Sequence, residues 1–444
     1  MSGGAAADIR NRVAGAVARG AVERIRSGRL ELEEAGRRHT VGDDDGRGEG
    51  RAGRDSGTRG DGAAVGGARA GLSATVRIHD SLAWSRLARG SVGLGEGYVD
   101  GLWDTDDLLA VLRIAACELA RFDTTRTRLR RSRGLWHRLR GLVPRNTRTG
   151  ARENIAAHYD LGNDLFETFL DQRMQYSCAI FPNPGASLEE AQLTKLDRIC
   201  TTLELHPGDH LLEIGTGWGG LAIHAAGEYG CRVTTTTISQ EQRELAARRV
   251  EAAGLADRVT ILGTDYRDLR GEHSKLVSVE MIEAVGWQYL DRFLAQCSRL
   301  LAGDGLMLLQ AITVPDHRYE AEKDLRTFAN THVFPGGCLP SLGAIEAGLR
   351  RSTELRQVAV EHIGEHYAPT LAAWRERFQA GWDRLGPAYD ERFRRLWTFY
   401  LTYCEAGFIE RRIDDVQLLL AKPGAQAEPE PRRGGAPLPA PGKG

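Results

Sequence analysis

The chain has 444 residues, 27% of them charged, and a formal net charge of −1, which allows two to three domains around a sizeable core. So even a balance gives no global attraction to nucleic acid, and no nucleic-acid partner is expected. Seven scattered cysteines without a C-x-x-C pair exclude a disulfide framework and a cysteine zinc site. That usage fits a reducing cytoplasm, and no metal is expected. The first thirty residues lack an apolar core with a cleavage site, and no apolar run is long enough to span a bilayer. Any membrane role is therefore expected at the surface.

Residues 1–33 read as a helical segment, basic and amphipathic over the first thirty. From 34 to 71 the chain is Gly, Asp and Arg with few apolar residues, and is expected to be a disordered linker. Residues 72–122 read as a small domain with a strand at Ala74–Ile78, a turn around Gly93-Leu94-Gly95 and a helix from Thr105. Over 123–152 there is no acid between Asp123 and Glu153, but ten arginines: 126, 128, 130, 131, 133, 138, 140, 145, 148 and 152. Leucines 129, 135, 139 and 142, with Trp136 and Val143, are interleaved. Such a stretch is either a solvated linker or an interfacial segment drawn to an anionic membrane surface by Arg126–Arg152.

The block 153–422 alternates helix and strand, as a doubly wound α/β sheet requires, with strands expected at 210–214, 232–238, 258–262, 276–281 and 305–312. The first of these runs into Gly215-Thr216-Gly217-Trp218-Gly219-Gly220, followed by a helix from Leu221. Glycines there permit a sharp bend and close approach of a ligand to the backbone. The fold class is thus a Rossmann-like domain holding a nucleotide-like molecule beyond its first strand. Gly215, Gly217 and Gly220 also satisfy G-x-G-x-x-G, so a nicotinamide dinucleotide is an alternative to S-adenosylmethionine (SAM). Glu213, two residues before the turn, suits a cationic ligand, and the strand ending at Ser239-Gln240 offers no acid at its tip for a ribose. Beyond 315, Phe334-Pro335-Gly336-Gly337 separates two aromatic-rich helical blocks expected to form a lid. The tail 423–444 is Pro, Gly and Ala and is expected to be disordered.

Several separated motifs stand in one order: Gly93-Leu94-Gly95-Glu96-Gly97-Tyr98-Val99-Asp100-Gly101, His158 to Phe166, Met174-Gln175-Tyr176-Ser177-Cys178, Thr237-Ile238-Ser239, Asp265-Tyr266-Arg267-Asp268, Glu283-Ala284-Val285-Gly286 and Phe334 to Pro340. In these the chain resembles the cyclopropane-fatty-acyl-phospholipid synthase family of SAM-dependent methyltransferases, from about Ser91 to Pro423. The resemblance implies a Rossmann-like methyltransferase domain with a small N-terminal α+β domain for lipid docking. It places SAM contacts at Tyr176, Ser177, Gly215, Gly217, Thr237, Ile238, Gln242, Tyr266 and Arg267, and Glu213 and Gly219 complete the expected set. It also implies a bicarbonate ion acting as base, held by Cys178, Glu283, Gln310, Ile312 and Tyr367. Gln310 departs from the family pattern, which has histidine there. The late aromatics Trp374, Phe378, Trp382, Phe393, Trp397, Phe399, Tyr400, Tyr403 and Phe408 are expected to be core, with two or three lining an acyl tunnel.

The implied substrate is a phospholipid with an unsaturated acyl chain, met at the cytoplasmic face of the membrane. Gln310 and the acid pair in Glu280-Met281-Ile282-Glu283 resemble the branch that makes a methylene precursor of a 10-methyl chain; ring closure to a cyclopropane is the alternative, and a lipid-binding protein without activity a more distant one. The resemblance also admits a homodimer and a downstream reductase.

Overall fold

A computed structural model describes residues 2–42, 71–132 and 162–426, with backbone alone for 2–11 and 122–132. These residues fall into two compact units. One takes in residues up to 125 together with 391–406; the other takes in 126–390 and the chain from 407.

In the first unit, helix α1 (Ser2–Val22) leads to a hairpin of β1 (Arg29–Glu34) and β2 (Arg37–Val41), turned at Ala35 and Gly36 with φ of 48° and 75°. Then come β3 (Ser73–Ile78), α2 (Leu82–Leu87), α3 (Ser91–Val99), β4 (Trp103–Thr105) and α4 (Leu108–Ser132). The sheet order is β2-β1-β3-β4, with β1 and β3 parallel. Leu30, Leu32, Ala74 and Val76 are buried on it, alternating with polar residues as a one-sided sheet demands.

Four expectations are corrected here. The segment 1–33 is not helical throughout, because Leu30 and Leu32 follow the period of a strand. The stretch 34–71 is not linker from its start, because Arg37–Val41 pairs with β1; residues 43–70 lie outside the described residues. Gly93-Leu94-Gly95 is not a turn but lies within α3, and the helix expected from Thr105 begins at Leu108. A side chain on Gly93 would lie 1.7 Å from the Arg86 carbonyl oxygen, so this glycine serves close packing of α2 on α3. Of the basic stretch 123–152, the helical backbone is described to Ser132 and the rest lies outside the described residues, as do 427–444 of the tail.

The second unit is built on seven strands in the order β10-β11-β9-β8-β5-β6-β7. These are β5 (His210–Ile214), β6 (Arg232–Thr236), β7 (Val259–Leu262), β8 (His273–Val279), β9 (Leu301–Thr313), β10 (Arg356–His362) and β11 (Asp414–Ala421). Strands β5 to β9 are parallel neighbours, and β11 runs antiparallel between β9 and β10. The central strands are buried on both faces, between Leu212, Leu276, Met307, Leu309, Phe293 and Leu418 on one side and Leu211, Val233, Val277, Leu308, Ile199 and Ala222 on the other. The expected doubly wound sheet is present, extended by two strands, β10 and β11, that were not expected. The block 153–422 is also not one body, since the helix Glu391–Ile409 gives residues 391–406 to the first unit. There Arg395 lies 4.1 Å over the Tyr98 ring and donates to the carbonyls of Tyr98 and Trp103.

Candidate active site

Chain reversal after β5 is forced by glycine. Gly215, Gly217 and Gly219 have φ of 108°, 50° and 82°, a region that side-chain-bearing residues rarely enter. Gly215 and Thr216 donate their amides to the Thr236 carbonyl, joining the turn to the end of β6 at the carboxyl edge of the sheet, where doubly wound folds take their ligands. Because β6 stops at Thr236, Thr237 and Ile238 fall in the loop beyond it. The Thr237 hydroxyl donates to Gln242 Oε1 at 2.8 Å, and Ser239 caps the following helix.

Glu213 accepts from the Thr235 hydroxyl at 2.6 Å and is buried, which pushes its carboxyl up to about 8. A cationic ligand beside it would restore the ionised form. Tyr266 packs edge-on against Phe293, with ring centres 5.3 Å apart. Arg267 is committed to Asp265, whose carboxylate takes both its backbone amide and its guanidinium, the latter at 2.6 Å.

The segment before the sheet is drawn to this turn by two cations, half-buried Arg249 and buried Lys195. Arg249 donates to the carbonyls of Gln172, Arg173 and Trp218. Lys195, fully buried on the helix Leu188–Thr202, donates to Gln175 Oε1 at 2.8 Å and Ser177 Oγ at 2.7 Å. Tyr176 is thereby set into an aromatic box, with ring centres 5.3 Å from Phe166, 5.2 Å from Trp374 and 6.4 Å from Phe334. Trp374 and Phe408 both approach Tyr367, Phe408 stacked at 4.3 Å. Of the late aromatics these two adjoin the site, while Trp397 and Phe399 pack within the first unit, against Phe393 and Tyr98.

Three of the five residues assigned to an anion cage, Cys178, Gln310 and Tyr367, converge, but on a side chain. Glu280, directly after β8, accepts from the Cys178 amide and Gln310 Nε2, both at 2.8 Å, and from the Tyr367 hydroxyl at 2.6 Å. Gln310 Nε2 also donates to Asp415 at 2.9 Å, and its oxygen accepts from Gln417. Glu283 stands apart, accepting from the Ile312 amide at 2.6 Å while its second oxygen is buried without a donor. Burial raises the carboxyl of Glu280, that of Asp415 still further, and that of Glu283 to about 8, each increased or offset by its neighbours. Burial likewise pushes the Cys178 thiol up, which removes it as a nucleophile.

Bicarbonate does not fit this arrangement. Every donor assigned to it already serves a carboxylate of the chain, and a second anion would face Glu280, Glu283 and Asp415 with Lys195 as the nearby cation. Sequence reasoning missed three members of this network. Glu280 was visible as an additional acid, whereas Asp415 and Lys195 gave no signal beyond being charges within otherwise apolar elements.

The sequence matches the mycolic acid cyclopropane synthetase family over residues 146–418. The chain belongs to this family. It is 42% identical to a tuberculostearic acid methyltransferase of Mycobacterium tuberculosis, covering 78% of this chain and 82% of that protein. It is 38% identical to the cyclopropane-fatty-acyl-phospholipid synthase of Escherichia coli, covering 78% and 86%. A solved mycolic acid cyclopropane synthase in complex with SAH and CTAB matches the fold with a TM-score of 0.56 at 31% identity, over 61% of this chain and 98% of that one. Family membership makes this chain an enzyme of the SAM-dependent methyltransferase and cyclopropane-synthase type, and sets aside the nicotinamide and inactive-binder readings. The glycine turn fits SAM, with backbone amides at a strand-to-helix bend and no side chain within 4 Å of where a Cβ on Gly217 would sit.

Proposed function

We propose that this enzyme methylates a cis double bond in a phospholipid acyl chain and releases a methylene-branched product. SAM supplies an activated methyl group, held by the turn at Gly215–Gly219 and by Tyr176, Ser177, Thr237, Ile238, Gln242 and Tyr266. Attack by the alkene leaves a carbocation that water would quench, so the chain must keep its site dry and rich in π density. Tyr176, Trp374, Tyr367 and Phe408 supply such faces, each cation–π contact being worth about 0.5–2 kcal/mol.

The observation that carries the methylene assignment is Gln310. An imidazole at this position would shuttle a proton, whereas the amide, fixed between Glu280 and Asp415, changes no charge. Proton removal therefore falls to a carboxylate, after a 1,2-hydride shift has moved the cation to the methylated carbon. Similarity to the Escherichia coli synthase keeps ring closure as the second reading. A hydride-donating reductase would then convert the methylene group to a methyl branch.

The direct test is transfer of radiolabelled methyl from SAM to oleoyl phospholipid vesicles. Label is expected in oleoyl and not in fully saturated lipid; equal labelling of both would refute alkene methylation.

Docking on the anionic inner face of the membrane is assigned to Arg126–Arg152, which supports a peripheral cytoplasmic enzyme. Each basic residue near such a surface is worth about 1 kcal/mol. Changing Arg126, Arg128, Arg130 and Arg131 to Ala is expected to weaken sedimentation with anionic vesicles, with a smaller difference at high salt. Unchanged binding gives these arginines a structural role instead.

A further inference from the structure

Resting on the reading above, we propose that the Glu280 carboxylate is the proton acceptor of this enzyme and makes bicarbonate unnecessary. A carboxylate and a bicarbonate are both planar monoanions presenting an O–C–O edge, so donors arranged for one accept the other. Glu280 takes the Cys178 amide, the Gln310 amide and the Tyr367 hydroxyl within 2.6–2.8 Å. Asp415, whose carboxyl is pushed well up by burial and by the neighbouring Glu280, shares the Gln310 amide with it. The Asp415 Oδ1 has no donor of its own and lies fully buried.

The backbone confirms that this placement is enforced. Glu280 has φ of 46°, a conformation costing a residue with a side chain about 1–3 kcal/mol, and its amide is held by the Gln310 carbonyl. Continuing β8 with ordinary strand angles would send the next side chain across the sheet instead. The left-handed step aims the carboxylate at Cys178, Gln310 and Tyr367. As a residue Glu280 is half-buried, whereas Gln310 and Asp415 are fully buried.

The proton step balances within the chain and its substrate. After methyl transfer and hydride shift, the cation sits on the methylated carbon. Glu280 removes a proton from the new methyl, the C–H electron pair becomes the C=C bond of the methylene group, and Glu280 becomes neutral. Loss of that proton to bulk water resets it.

The test uses the full-length enzyme in buffer stripped of carbon dioxide, with 13C-bicarbonate NMR as a binding readout independent of turnover. The wild-type protein is expected to bind no bicarbonate and to work at the same rate with and without it. Glu280→Ala is expected to lose about 100-fold or more in rate, a usual size for loss of a general base, and to regain part of it on addition of bicarbonate. Glu280→Gln, which refills the space without a base, is expected to be as slow and not rescued; unchanged SAM binding by titration shows that either variant is folded. Bicarbonate binding to the wild-type site, loss of its activity on bicarbonate removal, or a wild-type rate for Glu280→Gln overturns the proposal. If the wild-type enzyme modifies no lipid, the functional reading fails, and bicarbonate binding that appears only in Glu280→Ala still decides whether Glu280 occupies the anion position.

Discussion

Lys195→Met is expected to lower the melting temperature by roughly 6–20 °C, the largest stability effect of any single change near the site. Removing one partner from a buried charged network costs about 3–5 kcal/mol, because the other groups stay buried and uncompensated; for a domain of this size that amounts to roughly 2–4 °C per kcal/mol. Lys195 is fully buried, donates to Gln175 and Ser177, and is the cation facing Asp171 and Glu280. Methionine fills a similar volume, so the loss reports charge and hydrogen bonds rather than a cavity. SAM affinity is expected to fall with stability, since Ser177 and Tyr176 share the segment that Lys195 holds. Thermal unfolding and SAM titration check both, and a shift under about 2 °C would contradict this role.

The second large effect concerns pH. Burial raises the Glu213 carboxyl from 4.5 to about 8. Between those values the unfolded chain has released this proton while the folded chain keeps it, so folding stability falls as pH rises through the window and levels off above it. Below 4.5 both states hold the proton and there is no penalty. Glu213→Gln keeps an acceptor for Thr235 and removes the titration. SAM-free Glu213→Gln is therefore expected to be more stable than the parent at pH 8 by a few kcal/mol, converging towards it at pH 5. Parallel denaturant titrations at both pH values measure this; an equal difference at pH 5 and pH 8 would show that Glu213 ionises normally in the fold.

Much of the sheet was legible because its signals are local. Strands β5 to β9 are apolar or β-branched runs bounded by turn residues, and the φ angles at Gly215, Gly217 and Gly219 admit little but glycine. What stayed hidden depends on distant pairing. β10 is half-exposed and charged, and β11 follows an aromatic helix so closely that its apolar run reads as a continuation. The hairpin at Arg29–Val41 borders a Gly- and Asp-rich stretch whose composition masks two buried leucines.

The site was legible in membership more than in geometry. Cys178, Gln310 and Tyr367 do converge, as their motifs implied, and Glu283 meets Ile312. The object they surround was not legible, because the aim of Glu280 rests on a backbone angle of 46° that glutamate seldom adopts. Arg267 shows a pairing that the motif did not reveal: Asp265, two residues earlier, takes its guanidinium.

Incubation with SAM carrying a CD3 group and vesicles of dioleoyl phospholipid, followed by mass spectrometry and NMR of the released acyl chains, addresses the central claim most directly. The expected product has gained one carbon that carries two deuterons, with an exocyclic C=CD2 at mid-chain. A chain with the same mass gain but ring-CD2 signals and no alkene would contradict the account and make the enzyme a cyclopropane synthase.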